Sequence, residues 1–181
     1  MRLPSKDVQA RVQTVYQDRS GTVWIGTDGQ GAFAIAKGRV MSFTTRDGLR
    51  SDFIRAFCED GQGQLWIGTS SGLSRRDGHG FKGNYTNDGL VYFSVRSLAR
   101  DSRGDIWIGT EKGISRMRDG KFLPGPDAMR HEKILSIADD NEGAEWLGTD
   151  NSGLVRVKGD FQSVMLLRNA LPSKTVYQVI K

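Results

Sequence analysis

An all-β fold of the β-propeller class is predicted by three features of the sequence: evenly spaced tryptophans, a ten-residue phrase repeated around each, and glycine in excess of proline. Trp24, Trp66, Trp107 and Trp146 fall 42, 41 and 39 residues apart. The phrases around them are DRSGTVWIGT (Asp18–Thr27), DGQGQLWIGT (Asp60–Thr69), DSRGDIWIGT (Asp101–Thr110) and DNEGAEWLGT (Asp140–Thr149). Glycine supplies 23 of 181 residues, nearly double its usual share, against 4 prolines, a balance suited to tight turns between short strands. A period near 41 residues with four strands in each repeat is the mark of propeller blades.

Each element of the repeat has a physical reason. Before each Asp runs an inner strand, at Val12–Tyr16, Ile54–Cys58, Val95–Ala99 and Ile134–Ala138. D-x-x-G then makes a turn, the Asp carboxylate capping it and the Gly taking positive φ. The following strand, such as Gln64–Thr69, is large on both faces, so both faces must be covered. Its Gly, after the Trp and Ile, leaves room for a close neighbour. A loop leads to a third strand, such as Gly72–Arg76, with a basic residue at Arg75, Arg116 and Arg156. These arginines are expected to pair with a turn Asp of a neighbouring blade. Turns at Lys37-Gly38, Asp77-Gly78, Asp119-Gly120 and Lys158-Gly159 lead to a less regular fourth strand, such as Val40–Thr44 or Phe161–Leu167. No segment reads as a helix. The reading is four four-stranded blades, about residues 8–45, 53–86, 93–123 and 133–167, in one partial domain spanning 1–181.

A lone sheet with Trp on one face and Ile on the other is unstable in water, and stacking the blades buries both at roughly 1.5–3 kcal/mol per large apolar side chain. The four tryptophans, and Asp18, Asp60, Asp101 and Asp140 in the turns, therefore read as structural. The acidic residues do not follow the spacing of a calcium loop.

Composition excludes several functions. The net charge of +5 comes from scattered Lys and Arg, not from the one-sided cluster of a nucleic-acid binder. No apolar run nears the ~18 residues of a membrane helix, and no apolar stretch follows Met1 as in a signal peptide. A single cysteine, Cys58, and two histidines, His79 and His131 at unlike repeat positions, offer little for metal or thiol chemistry. No cofactor or metal and no catalytic residue is expected.

The chain opens with Leu3-Pro4-Ser5-Lys6 and nears its end with Leu171-Pro172-Ser173-Lys174. The closing segment, 175–181, is accordingly expected to be the orphan inner strand of a fifth blade. The chain then reads as an arc of a larger propeller. A four-bladed ring with a tail, or two chains forming one ring as a homodimer, are the alternatives.

At these residues the sequence resembles the two-component regulator propeller repeat. The second blade matches best, through Asp47-Gly48-Leu49, Ile54, Asp60, Gly63, Trp66-Ile67-Gly68-Thr69, Gly72-Leu73, Arg75 and Asp77-Gly78. Departures are Ala32-Phe33-Ala34 in the first blade, Glu145 before Trp146, and the irregular stretch Pro124–Arg130. The resemblance implies a seven-bladed ring in the periplasmic sensor of a bacterial histidine kinase or diguanylate cyclase receptor, binding oligosaccharides or other small molecules. It also implies that the rest of the parent propeller and receptor is this chain's partner.

Function on such a scaffold concentrates in loops. The loops entering the inner strands (46–52, 87–92, 124–132 and 169–174) and those joining second to third strands (28–30, 70–71, 111–112 and 150–152) are expected on one face. The candidate ligand-binding residues there are Arg46, Arg50, Asp52, Tyr92, Glu111, Lys112, His131 and Asp150. Ligand sensing without catalysis is the leading reading. A propeller lyase or hydrolase and a protein-interaction platform are the other two.

Overall fold

The structure is a computed structural model, and it describes residues 10–83, 89–159, 161, 163–167 and 171–180. Among the described residues, sixteen strands form four four-stranded antiparallel sheets, each a simple meander in chain order. The first blade comprises β1 (Val12–Gln17), β2 (Val23–Thr27), β3 (Ala32–Ala36) and β4 (Arg39–Phe43). The second comprises β5 (Ile54–Glu59), β6 (Leu65–Thr69), β7 (Gly72–Asp77) and β8 (Gly80–Gly83). The third comprises β9 (Val95–Arg100), β10 (Ile106–Thr110), β11 (Gly113–Arg118) and β12 (Lys121–Pro124). The fourth comprises β13 (Ile134–Asp139), β14 (Ala144–Thr149), β15 (Leu154–Lys158) and β16 (Ser163–Leu166). The first strands β1, β5, β9 and β13 lie side by side, so the blades fan out from them.

The D-x-x-G turns form as expected. In each, one carboxylate oxygen accepts two backbone N–H groups, for Asp101 those of Arg103 and Asp105 at 3.0 and 2.9 Å. The closing glycines Gly21, Gly63, Gly104 and Gly143 all have positive φ. The second carboxylate oxygen has a use that the pattern did not reveal. It accepts the indole N–H of Trp24, Trp66 or Trp107, at 2.8, 2.9 and 3.1 Å. Burying an indole leaves one N–H to satisfy, and the turn Asp satisfies it at no distance cost in sequence.

Blade stacking is visible in the burial. Strands β6 and β10 are buried along their whole length, and three apolar clusters fill the spaces between successive blades. The Gly of W-I-G-T is where the next blade's inner strand arrives. A Cβ on Gly26 would lie 2.6 Å from Ile54 Cγ2, and one on Gly68 would lie 2.5 Å from Val95 Cγ1. The same contact recurs at Gly109 with Ile134 and at Gly148 with Val176.

Three expectations are corrected. Arg116 and Arg156 pair within their own blade, not with a neighbour's turn, and Arg75 forms no ion pair with a neighbour's turn among the described residues. Arg116 lies directly across the ladder from Trp107, which puts its guanidinium over that ring at 5.1 Å and against Asp101 and Asp105. Arg156 does the same with Trp146 and Asp140. The antiparallel register brings the Arg, the Trp and the D-x-x-G turn to one end of the same sheet. In the first blade Ala34 faces Trp24, and Arg76 of the second blade reaches over that ring at 5.6 Å. Second, two single-turn 3-10 helices, Thr45–Asp47 and Asp127–Met129, stand in entry loops where no helix was read. The first is a local capping box, in which Thr44 and Asp47 exchange side-chain to backbone hydrogen bonds. Third, residues 171–180 are not a strand. They do occupy the inner-strand place, since Val176 donates its N–H to Thr149 O at 2.8 Å and Val179 donates to Ser136 Oγ at 2.9 Å. A strand needs a ladder partner, and blade 4 meets this segment face to face through side chains and single bonds. The packing makes Val176 equivalent to Val12, four residues away from the register that would superpose the two Leu-Pro-Ser-Lys stretches. The first of these, with residues 8, 9, 84–86 and 181, lies outside the described residues.

Candidate functional site

The antiparallel meander sends the entry loops and the second-to-third-strand loops to one end of every blade, and backbone hydrogen bonds tie the two sets together. Gly31 N–H donates to Asp52 O at 2.9 Å, Gly113 to Glu132 O at 2.7 Å and Gly153 to Lys174 O at 2.7 Å. The Thr of W-I-G-T staples each second loop from inside. The hydroxyls of Thr27, Thr69, Thr110 and Thr149 donate to the carbonyls of Gly31, Gly72, Gly113 and Gly153 at 2.7–2.8 Å. A buried hydroxyl in that role explains why Thr ends the phrase in all four repeats. The rim loops are thereby held on a rigid frame.

On this rim, side chains from the third and fourth blades converge. Glu111 pairs with Arg96 on β9, and its other oxygen lies 3.4 Å from Lys133 Nζ. Lys133 also approaches Asp150 Oδ2 at 3.5 Å. The row Arg96, Glu111, Lys133 and Asp150 thus alternates in sign along the rim, with one cation and one anion from each of the two blades. These groups are partly exposed, and such pairs contribute only about 0–1 kcal/mol each. Their effect is to orient one another. Beside them Lys112 Nζ stands over the Tyr92 ring at 4.8 Å, and Tyr92 lies against Phe93 with ring centroids 4.4 Å apart. Phe93 is 49% exposed, and Phe53, entering the second blade, is 45% exposed. Near Phe53, Arg55 and Asp28 repeat the ionic motif at 3.7 Å.

Of the eight residues singled out from the sequence, Tyr92, Glu111, Lys112 and Asp150 meet in this cluster. Asp52 instead ties down the frame: its carboxylate accepts Thr45 N–H at 2.7 Å, and its carbonyl accepts Gly29 and Gly31. Arg50 donates its N–H to Ser74 Oγ at 3.0 Å, and its side-chain methylenes lie against Gly83 on the outer strand. Arg46 is exposed on the 3-10 turn, and His131 is exposed at φ 74°. Residues 87, 88, 169 and 170 of the expected entry loops lie outside the described residues. Sequence reasoning missed Arg96 and Lys133, which stand inside or at the edge of inner strands and not in the loops. The signal that could have found them is alternation, since a residue beside a buried strand position faces outward.

Among the described residues no group of three or more His, Cys, Asp or Glu is placed to hold a metal ion. Among the same residues no helix is long and apolar enough to cross a membrane. Burial pushes the Cys58 thiol up to about 12, leaving it unsuited to nucleophilic chemistry.

Residues 7–29, 48–71 and 86–112 match the two component regulator propeller family. Those spans carry the first three W-I-G-T phrases, and they end before the fourth blade, where Glu145 and Leu147 depart from the pattern. Among solved structures, the chain is similar to the extracellular domain of the putative one component system BT4673 from B. thetaiotaomicron. That match has TM-score 0.77 and 26% identity, covering 97% of this chain and 26% of that one. It is also similar to the extracellular domain of the putative hybrid two component system BT3049 from the same organism, with TM-score 0.76, 22% identity, and coverage of 92% and 24%. Virginiamycin B lyase from Staphylococcus aureus shares the fold at TM-score 0.76 and 16% identity, with coverage of 94% and 58%. The chain thus spans about a quarter of the sensor-domain chains that it resembles. No curated protein matches it.

Proposed function

We propose that these propeller repeats form the ligand-sensing surface of an extracytoplasmic receptor domain of bacterial signal transduction, within an arc of a seven-bladed ring, and that they act by binding and not by catalysis. The observation that carries this reading is the rim cluster itself. Aromatic faces at Tyr92 and Phe93 stand beside charges of both signs at Arg96, Glu111, Lys112, Lys133 and Asp150, on inner strands and on loops fixed by buried hydrogen bonds. Flat apolar rings accept the C–H faces of a sugar, and neighbouring charged groups accept and donate to its hydroxyls. The family match and the similarity to extracellular sensor domains support the same reading. The likeness to a lyase supports the fold and nothing further.

The test is calorimetric titration of the protein with a panel of oligosaccharides, repeated with Tyr92→Ala and Lys112→Ala. At least one glycan is expected to bind saturably and to lose about tenfold or more in affinity with either variant. A panel that leaves the protein silent, or binding untouched by both substitutions, overturns the assignment.

A further inference from the structure

The second and third blades differ in how one arginine is paired. In the third blade, Arg116 sits across from Trp107 with 0% exposure and is held by two carboxylates, Asp101 from the turn and Asp105 two residues before Trp107. In the second blade, Arg75 holds the same position across from Trp66, its guanidinium 5.9 Å from the ring centroid. The residue corresponding to Asp105 is Gln64, whose amide turns away and donates to Arg76 O at 2.7 Å. Asp60 is already committed, with one oxygen accepting the N–H groups of Gln62 and Gln64 and the other accepting the Trp66 indole. Asp77, two residues along the strand, is engaged by Lys82 Nζ at 2.7 Å. Arg75 has no carboxylate at ion-pair distance among the described residues, and its Nε, like that of Arg116, is buried without a hydrogen-bond partner.

Arg75 lines a cleft of about 490 Å³ between the two blades, on the face opposite the rim, where the D-x-x-G turns emerge. That volume lies in the range of small-molecule sites. The walls come from Asp60, Gly61 and Trp66 of one blade and from Arg103, Asp105 and Asp119 of the next, with Asp105 paired to Arg116 and Arg118.

We propose that this inter-blade cleft binds a carboxylate-bearing small molecule, whose carboxylate takes, against Arg75, the place that Asp105 takes against Arg116. A guanidinium recognises a carboxylate through paired N–H donors, and Arg75, unlike Arg116, has none at ion-pair distance among the described residues although Asp60, Asp105 and Asp119 line the same cleft. The site is independent of the rim and of the ligand proposed for it.

The experiment is an NMR titration of the whole chain with glutarate, following the Arg75 Nε–H and Trp66 indole resonances, with sodium chloride at matched ionic strength as control. Saturable shifts at both resonances with glutarate, and not with chloride, are expected. In Gln64→Asp, which supplies the missing acid from within, the Arg75 resonance should start displaced and the titration should vanish. Arg75→Gln should abolish the Trp66 shift, and Tyr92→Ala should leave both intact. Silence in the wild-type protein, equal shifts with chloride, or a Gln64→Asp variant that titrates like wild type would each overturn the proposal.

Discussion

Glu145 is the residue whose replacement tests the blade architecture most directly. It occupies the position before the blade Trp that Val23, Leu65 and Ile106 fill in the other repeats, and it is only 1% exposed. One of its carboxylate oxygens is buried without a hydrogen bond among the described residues. Burial, with the charge of Asp101 adding to it and Arg116 opposing, pushes its pKa from 4.5 up to about 7. Below pH 4.5 both folded and unfolded chains carry the proton. Between 4.5 and 7 the unfolded chain releases it while the folded chain keeps it, so stability falls as pH rises. Above 7 both are ionised and the loss is constant. At about 1.4 kcal/mol per pH interval of one, the window costs about 3 kcal/mol. Glu145→Gln removes the titration and keeps the shape. Urea melts followed by tryptophan fluorescence should show the variant gaining about 2–3 kcal/mol on wild type between pH 4.5 and pH 8. A wild-type to variant difference that is the same at both pH values would refute the claim that blade packing holds this carboxyl out of water.

Two further outcomes follow from the same packing. Asp101→Ala strips the fully buried Arg116 of one of its two acids and leaves the Trp107 indole unsatisfied, so a denaturant melt should show a loss of about 3–5 kcal/mol. Asp18→Ala, in a turn whose half-buried capping Asp holds no arginine, should cost about 1–2 kcal/mol; equal losses at the two sites would sink the ion-pair account. Gly68→Ala places a methyl 2.5 Å from Val95 Cγ1 at the junction of the second and third blades and should cost about 1–3 kcal/mol in the same assay. A variant as stable as wild type would mean that the blades are not in close contact there.

What the sequence determined by itself was the repeat and everything local to it. The D-x-x-G turns, the strand after each turn and the need to cover both of its faces follow from residue types a few positions apart, because turn geometry and strand alternation act over that range. Tertiary structure decided what depends on the register between strands and on the meeting of blades. Arg116 and Trp107 are nine residues apart in sequence, and only the antiparallel ladder makes them neighbours. Asp101 joins them because its turn closes the same end of the sheet. The rim cluster was half legible: Tyr92, Glu111, Lys112 and Asp150 lie in loops, where function is sought, whereas Arg96 and Lys133 reach the same surface from an inner strand and its edge. Likewise Gln64 and Asp105 look like ordinary variation at one repeat position. Their difference acquires meaning only when Arg75 and Arg116 are seen standing beside them, one buried among acids and the other at the wall of an open cleft.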